Sequence, residues 1–154
     1  MKKYILVFSF IPLLSCTKEE IGHTKSYLIN STNHNIKILP YIGASLDNSA
    51  SKTIPPNSTI EVYAADVRGK TIDPSFGTVL QPYDSVVVSY DDVVKIPHIK
   101  FNLAYSGMHR VLFSSNRSIS NQNNYLKTIT SETKNSIEGN FKYTFTEQDY
   151  LDAR

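Results

Sequence analysis

The chain has 154 residues, a length that suits one domain able to bury a hydrophobic core. It carries 16 Lys and Arg against 14 Asp and Glu, so its charge is nearly balanced and does not favour nucleic acid as a partner. Cys16 is its one cysteine, which excludes an internal disulfide. The fold therefore depends on its core.

The first fifteen residues are organised like an export signal. Lys2 and Lys3 form a positive start, and residues 4–14 are apolar apart from one serine. This run is shorter than the roughly 20 residues that a spanning helix needs. Residues 13–15 followed by Cys16 resemble a lipobox, the site at which bacterial lipoproteins are lipidated on the cysteine and then cleaved. An ordinary signal peptide cleaved elsewhere is the alternative.

Cleavage at the lipobox has two consequences. Cys16 becomes the first residue of the mature chain, and loss of Lys2 and Lys3 leaves 14 basic residues against 14 acidic ones. Two or more acyl chains hold a protein durably on a bilayer, whereas one chain holds it only marginally. The resemblance therefore implies a membrane-bound protein with a lipid such as palmitate on Cys16. We expect no cofactor, because no motif for one occurs in the sequence.

Residues 16–26 are predicted to form a charged, polar tether. Within it, Lys18, Glu19 and Glu20 resemble the surface-export signal that follows the cysteine in Bacteroidota lipoproteins. That resemblance implies an outer-membrane protein facing outward from the cell. A plain linker and a periplasm-facing domain form the alternative.

Residues 27–154 read as one domain of short strands. Ile60, Val62 and Ala64 alternate with polar or aromatic residues, which is the period of a half-buried strand. Residues 85–90 and 93–96 are rich in β-branched residues and predict a hairpin that turns at Asp91 and Asp92. These runs, and further ones between turn clusters, indicate an all-β fold.

The C-terminal part changes composition twice. Residues 114–139 are rich in Asn, Ser and Thr, and are predicted to form a long polar loop. Phe141, Tyr143 and Phe145 then alternate as in a strand, and Thr146 can begin a short helical turn. The predicted fold is a single antiparallel β-sandwich, immunoglobulin-like or similar, with this C-terminal helical turn. A partly open barrel is the alternative.

Motifs that would identify a catalytic or metal site are missing from the sequence. No phosphate-binding glycine loop and no Gly-x-Ser-x-Gly elbow occurs. The four histidines lack the paired spacing of a zinc motif: His23, His34, His98 and His109. Ten tyrosines without a tryptophan are compatible with a sugar-stacking platform, but ordinary sheet positions explain them better.

A wider resemblance concerns the setting of the protein. Residues 84–88, the Asp91 and Asp92 turn, and residues 143–150 are similar to segments of small Bacteroidota lipoproteins without assigned activity. Asp84, Ser85 and Val86 also resemble the short O-glycosylation motif of that phylum. We therefore expect a non-catalytic surface module that binds a protein or a glycan. A small hydrolase, for example a glycan-active one with carboxylates that converge only in the fold, is the alternative.

Overall fold

The computed structural model describes residues 19–73, 75–100 and 110–154. Most of this part of the chain is β-strand, with two short α-helices and one turn of 3₁₀ helix. In the described residues no helix has the length and apolar character needed to cross a bilayer. The elements in chain order are β1 (Ile21–Asn30), β2 (Ile36–Ile42), β3 (Ser45–Leu46), β4 (Lys52–Ile54), β5 (Ser58–Arg68), α1 (Phe76–Val79), β6 (Ser85–Tyr90), β7 (Val94–Ile99), β8 (Val111–Leu112), the 3₁₀ turn (Gln122–Asn124), β9 (Leu126–Glu132), β10 (Ser136–Phe145) and α2 (Glu147–Leu151).

The strands form two sheets that pack face to face. The first sheet has the order β5-β1-β10-β9, and the second has the order β3-β2-β6-β7-β8 with β4 also paired to β2. The predicted all-β sandwich with a short C-terminal helix is thus confirmed. It is not wholly antiparallel, because β1 runs parallel to β10 and β7 runs parallel to β8. The connections that make these two pairs parallel leave no local signal in the sequence.

The core lies between the two sheets and follows the alternation of the strands. Phe141, Tyr143 and Phe145 are buried on the inner face of β10, as their spacing predicts. Their partners across the interface include Ile38 on β2 and Val88 on β6. Burial of such side chains contributes about 1.5–3 kcal/mol each, so the sandwich holds without a disulfide.

The β6–β7 hairpin turns where the sequence predicts. Asp91 and Asp92 have φ angles of 51° and 62°, and this left-handed backbone is tolerated better by Asp than by most residues. The Val93 amide donates to the Tyr90 carbonyl across the turn, at 3.0 Å. The Asp91 carboxylate also ties the turn to the β1–β2 connection, because it accepts from the Asn35 backbone amide at 2.8 Å.

The prediction of a tether through residue 26 is wrong at its C-terminal end, because β1 begins at Ile21. The first half of its inner face carries Gly22, Thr24 and Ser26 instead of aliphatic residues, and an apolar residue appears on this face only at Leu28. Thr24 donates to the Ile72 carbonyl, and the Ser26 hydroxyl accepts from the Phe76 amide. These bonds satisfy polar groups that are fully buried. Gly22 allows the segment that contains Thr71 and Ile72 to pass close to β1, since a Cβ at Gly22 would lie 1.5 Å from the Thr71 carbonyl oxygen.

The prediction of one polar loop at 114–139 is also wrong in part. It contains the 3₁₀ turn, all of β9 and the start of β10. Every side chain of β9 is exposed, so this edge strand has no apolar face to mark it in the sequence. Its pairing with β10 through backbone hydrogen bonds is what makes it a strand.

The C-terminal helix α2 starts as predicted at Thr146. The Asp149 carboxylate accepts from the backbone amide and the hydroxyl of Thr146, at 2.7 and 2.8 Å. The Asp149 amide in turn donates to the Thr146 carbonyl at 3.0 Å, and together these bonds stabilise the start of an element of only five residues. The bonds to Thr146 also hold Asp149 beside a cavity that it helps to line.

Candidate functional site

A cavity of about 370 Å³ lies between the sheets, close to the C-terminal helix. Its walls come from both sheets, from α2 and from the segment after β8. One side is apolar and aromatic, and the other carries one base and two acids. The lining residues are Tyr90, Ile96, His98, Val111, Arg117, Tyr143, Phe145, Asp149 and Asp152. This volume is within the range of small-ligand pockets.

The cavity lies far from the N-terminal end of the domain. Because β1 and β10 are parallel, Ile21 pairs beside Ser136 at one end and Asn30 beside Phe145 at the other. Ten residues of extended strand span about 30 Å. The helix α2 follows Phe145, so the cavity opens near the end of the sandwich opposite to the point where the chain enters.

His98 on β7 forms part of the cavity wall and is 4% exposed. Its Nδ1 accepts from the Ile119 amide at 3.3 Å and lies 3.2 Å from the Ser118 hydroxyl oxygen. Burial lowers the pKa of His98 to about 4, against a smaller opposing effect of the Asp149 charge. The imidazole is therefore neutral at physiological pH.

Arg117 joins the two acids of the cavity. Its guanidinium donates to one oxygen of Asp149 and to one oxygen of Asp152. The remaining oxygen of Asp149 accepts from Thr146, and that of Asp152 accepts from the Gln148 amide at 2.6 Å. The pKa of Arg117 is raised, chiefly by the bond to Asp149. All four carboxylate oxygens thus have donors.

The segment from 113 to 125 is held by its own asparagines. Asn121 donates to the Ser114 and Ser115 carbonyls at 3.0 and 3.1 Å. Asn124 donates to the Ser115 and Ser118 carbonyls at 3.0 and 2.8 Å. These bonds to the backbone fix the segment that presents Arg117. An Asn- and Ser-rich composition is typical of such self-capped loops, so this signal was available in the sequence.

The other side of α2 is attached to the β1–β2 connection through His34. The imidazole stacks on the Tyr150 ring with centroids 3.7 Å apart. Its Nδ1 lies 2.6 Å from an Asp91 oxygen, and its Nε2 lies 3.3 Å from a Glu147 oxygen. The pKa of His34 is raised, first of all by the hydrogen bond to Asp91. The helix that carries Asp149 and Asp152 is therefore held on both sides.

The residues singled out in the sequence lie away from this cavity. Cys16, Lys18 and the signal peptide are outside the described residues. Glu19 and Glu20 are exposed just before β1, and Glu19 pairs with Arg68 at 3.1 Å. In the glycosylation-like motif, Asp84 is exposed and accepts from the Gly43 amide at 2.6 Å, Ser85 is half-buried and Val86 is buried.

No motif in the sequence marks the residues that line the cavity, because they come from six parts of the chain: β6, β7, β8, the segment after β8, β10 and α2 with its C-terminal end. Of the tyrosines considered for sugar stacking, Tyr90 lines the cavity while Tyr125 is buried in the core. Among the described residues, no three His, Cys, Asp or Glu side chains are grouped so that they could hold a metal ion. Comparisons with protein-family models, with curated proteins and with solved structures find no match to this chain.

Proposed function

We propose that this protein is a lipid-anchored, non-catalytic binding module of the outer membrane, and that the cavity is its ligand site. The observation that carries the proposal is a preformed cavity of about 370 Å³ with apolar walls and a few polar groups. Convergence of a few polar groups on an apolar pocket is the usual composition of a small-molecule site. The ligand is either a free small molecule or an end group of a larger surface molecule.

The hydrogen bonds of Asp149 and Asp152 favour a binding site over a hydrolytic one. A glycosidase needs one carboxylic acid that can give up a proton and a second carboxylate as nucleophile or base. Asp149 and Asp152 instead use all their oxygens to hold Arg117, Thr146 and Gln148. This arrangement gives the wall a fixed shape, which suits a binding site.

The position of the cavity agrees with attachment through Cys16. Only Thr17 to Glu20 would separate the lipidated residue from β1, so the Ile21 end of the sandwich would lie near the bilayer. The cavity opens at the opposite end, about 30 Å away along the strands. Such a module would present its ligand site away from the membrane, whichever face of the outer membrane it occupies.

The ligand site is tested by filling the cavity. Val111 lines it, whereas its neighbour Leu112 is 40% exposed. We expect a set of neutral aromatic and aliphatic fragments to raise the melting temperature of the wild type and of the control Leu112→Phe. Val111→Phe should lose this response while keeping its fold by circular dichroism. An equal response in all three proteins would refute the cavity as the site.

The anchor is tested in cells. Growth of the producing cells with radiolabelled palmitate should label the wild-type protein, and Cys16→Ala should remove both the label and the membrane association. Lys18→Ala with Glu19→Ala and Glu20→Ala should reduce protease access on whole cells but leave lipidation intact. Unlabelled wild-type protein would contradict the anchor, and unchanged access would contradict the surface assignment.

A further inference from the structure

The tautomer of His98 follows from its neighbours. The Ser118 hydroxyl oxygen accepts from the Ser120 amide at 3.2 Å, so its own proton is available for Nδ1 of His98. Nδ1 also accepts from the Ile119 amide. An imidazole nitrogen that receives two donors carries no proton. Because the ring is neutral, its single proton must reside on Nε2.

Two hydrogen-bond donors that belong to buried residues of the cavity wall therefore have no partner within the described part of the protein. One is Nε2–H of His98 and the other is the Tyr90 hydroxyl, whose side chain is 1% exposed. Burial raises the pKa of Tyr90 far above its ordinary value, so the hydroxyl keeps its proton. In the described residues, the fully buried side-chain polar atoms without a partner are the hydroxyl oxygens of Ser89 and Ser120, so the donors of His98 and Tyr90 are accessible from the cavity, where a ligand or water can satisfy them.

The charges around these donors restrict the ligand further. Asp149 and Asp152 outnumber Arg117, and the cavity holds a net negative charge. An anion would meet this charge in a partly desolvated site, which is unfavourable. A cation would face two donors it cannot accept from, and carboxylates that already have donors. A neutral ligand with an acceptor oxygen avoids both costs.

The apolar side completes the match. Ile96, Val111, Tyr143 and Phe145 offer aliphatic and aromatic surface to the body of a ligand. We propose that the cavity selects a neutral carbonyl compound with an apolar body, whose oxygen accepts from one of these two donors, Nε2–H of His98 or the Tyr90 hydroxyl. This inference rests on the proposal that the cavity is the ligand site, and it adds the chemical class of the ligand.

The test uses three probes with the same apolar body: 2-phenylacetamide, 2-phenylacetate and 2-phenylethylammonium. They differ mainly in the charge and acceptor character of the polar end. In titrations followed by NMR with the full mature protein, we expect the amide to bind tightest and to shift the His98 imidazole resonances. The ¹⁵N shifts of His98 should also report a protonated Nε2 and an unprotonated Nδ1.

Variants separate the role of the hydroxyl from general stability. Tyr90→Phe removes only the oxygen. If the hydroxyl is the donor, this variant should bind the amide about 3- to 10-fold more weakly, as for loss of one neutral hydrogen bond; if His98 is the donor, the shift of its imidazole resonances carries the result. Tyr83→Phe is the control, because its hydroxyl bonds Asp47 at 2.8 Å and lies outside the cavity. Should Tyr90→Phe not fold, the shift of the His98 resonances in the wild type still decides the matter.

The outcomes also distinguish this inference from the proposed function. Equal or tighter binding of the carboxylate or the ammonium probe would overturn the carbonyl class but leave the cavity as a binding site. The carbonyl class would also be overturned, and the cavity kept as a binding site, if all three probes fail to bind while the wild type still responds to fragments and Val111→Phe does not. Binding of the amide without a shift of His98 and without an effect of Tyr90→Phe would overturn it as well. Loss of every fragment response would overturn both.

Discussion

Asn30 offers the sharpest test of how the polar interior is stabilised. The side chain is 1% exposed, and its amide nitrogen donates to the carbonyls of His34, Ile54 and Pro55 at 2.7, 3.1 and 2.9 Å. Its oxygen accepts from the amide and hydroxyl of Thr32 at 3.0 and 2.7 Å. One side chain thus joins the end of β1 to the β1–β2 connection, to the end of β4 and to the β4–β5 turn.

The substitution Asn30→Asp keeps the volume and the acceptor but places a second oxygen against three carbonyl oxygens. The carbonyl bonds are lost, and one unsatisfied buried group costs about 1–3 kcal/mol. A buried carboxylate must also bear its charge or take up a proton, so its folded-state pKa should rise above the ordinary value of about 3.9. The lost carbonyl bonds and the buried carboxylate should together lower the free energy of unfolding at pH 7 by about 4 kcal/mol, which is a large part of a typical stability.

The pH dependence gives an independent check. An acid with a raised folded-state pKa is protonated in the native state and ionised in the unfolded state between the two pKa values. The native state then gains about 1.4 kcal/mol for each unit by which the pH falls in that window. Urea unfolding of Asn30→Asp should therefore show a deficit that shrinks between about pH 7 and about pH 5.

The control is Asn33→Asp, because Asn33 is exposed and its side-chain oxygen only accepts from Asn57 at 3.3 Å. A carboxylate can accept equally well, and we expect a change within about 0.5 kcal/mol. The reasoning fails if Asn30→Asp lies within about 1 kcal/mol of the wild type at pH 7, or if its deficit is constant with pH.

Three further predictions concern stability. Gly22→Ala should lower the free energy of unfolding by about 3 kcal/mol, since a Cβ would meet a backbone carbonyl oxygen at 1.5 Å; a near-neutral result in urea unfolding would contradict that close contact. Tyr125→Phe should lose about 1–2 kcal/mol, because the hydroxyl donates to the buried Ile119 carbonyl at 2.8 Å; an unchanged unfolding midpoint would refute this. The pKa of His34 beside Asp91 is raised in the native state. Its protonation therefore stabilises that state fully below about pH 6.5, and this stabilisation is lost as the pH rises through the raised folded-state pKa. His34→Gln should therefore lower the melting temperature at about pH 6 more than at about pH 8, and an equal difference at both would contradict the sign.

Much of the scaffold is encoded locally. The alternation at Phe141, Tyr143 and Phe145 predicts β10 because neighbouring side chains of a strand point to opposite faces. The turn at Asp91 and Asp92 and the helix start at Thr146 depend on side chains that satisfy nearby backbone groups, and these are also visible in the sequence. Such features need no knowledge of distant contacts.

Other strands have no local signature. In the first half of β1 the inner face carries Thr24, which donates to the Ile72 carbonyl, and Ser26, which accepts from the Phe76 amide. The edge strand β9 is exposed on both faces, and only its pairing with β10 makes it a strand. Alternation of apolar residues therefore could not predict either strand.

The cavity depends still more on tertiary structure. His98, Arg117 and Asp149 belong to different segments, and no spacing in the sequence brings them together. The neutral state of His98 arises from burial between the sheets, and the occupied state of the acids arises from Arg117. By itself the sequence predicted an all-β sandwich, because alternation and turn chemistry depend on neighbouring residues; the lipobox at Cys16 stays a prediction from resemblance. The tertiary structure decided where the cavity lies and which charged groups line it, because both depend on residues that meet only after folding.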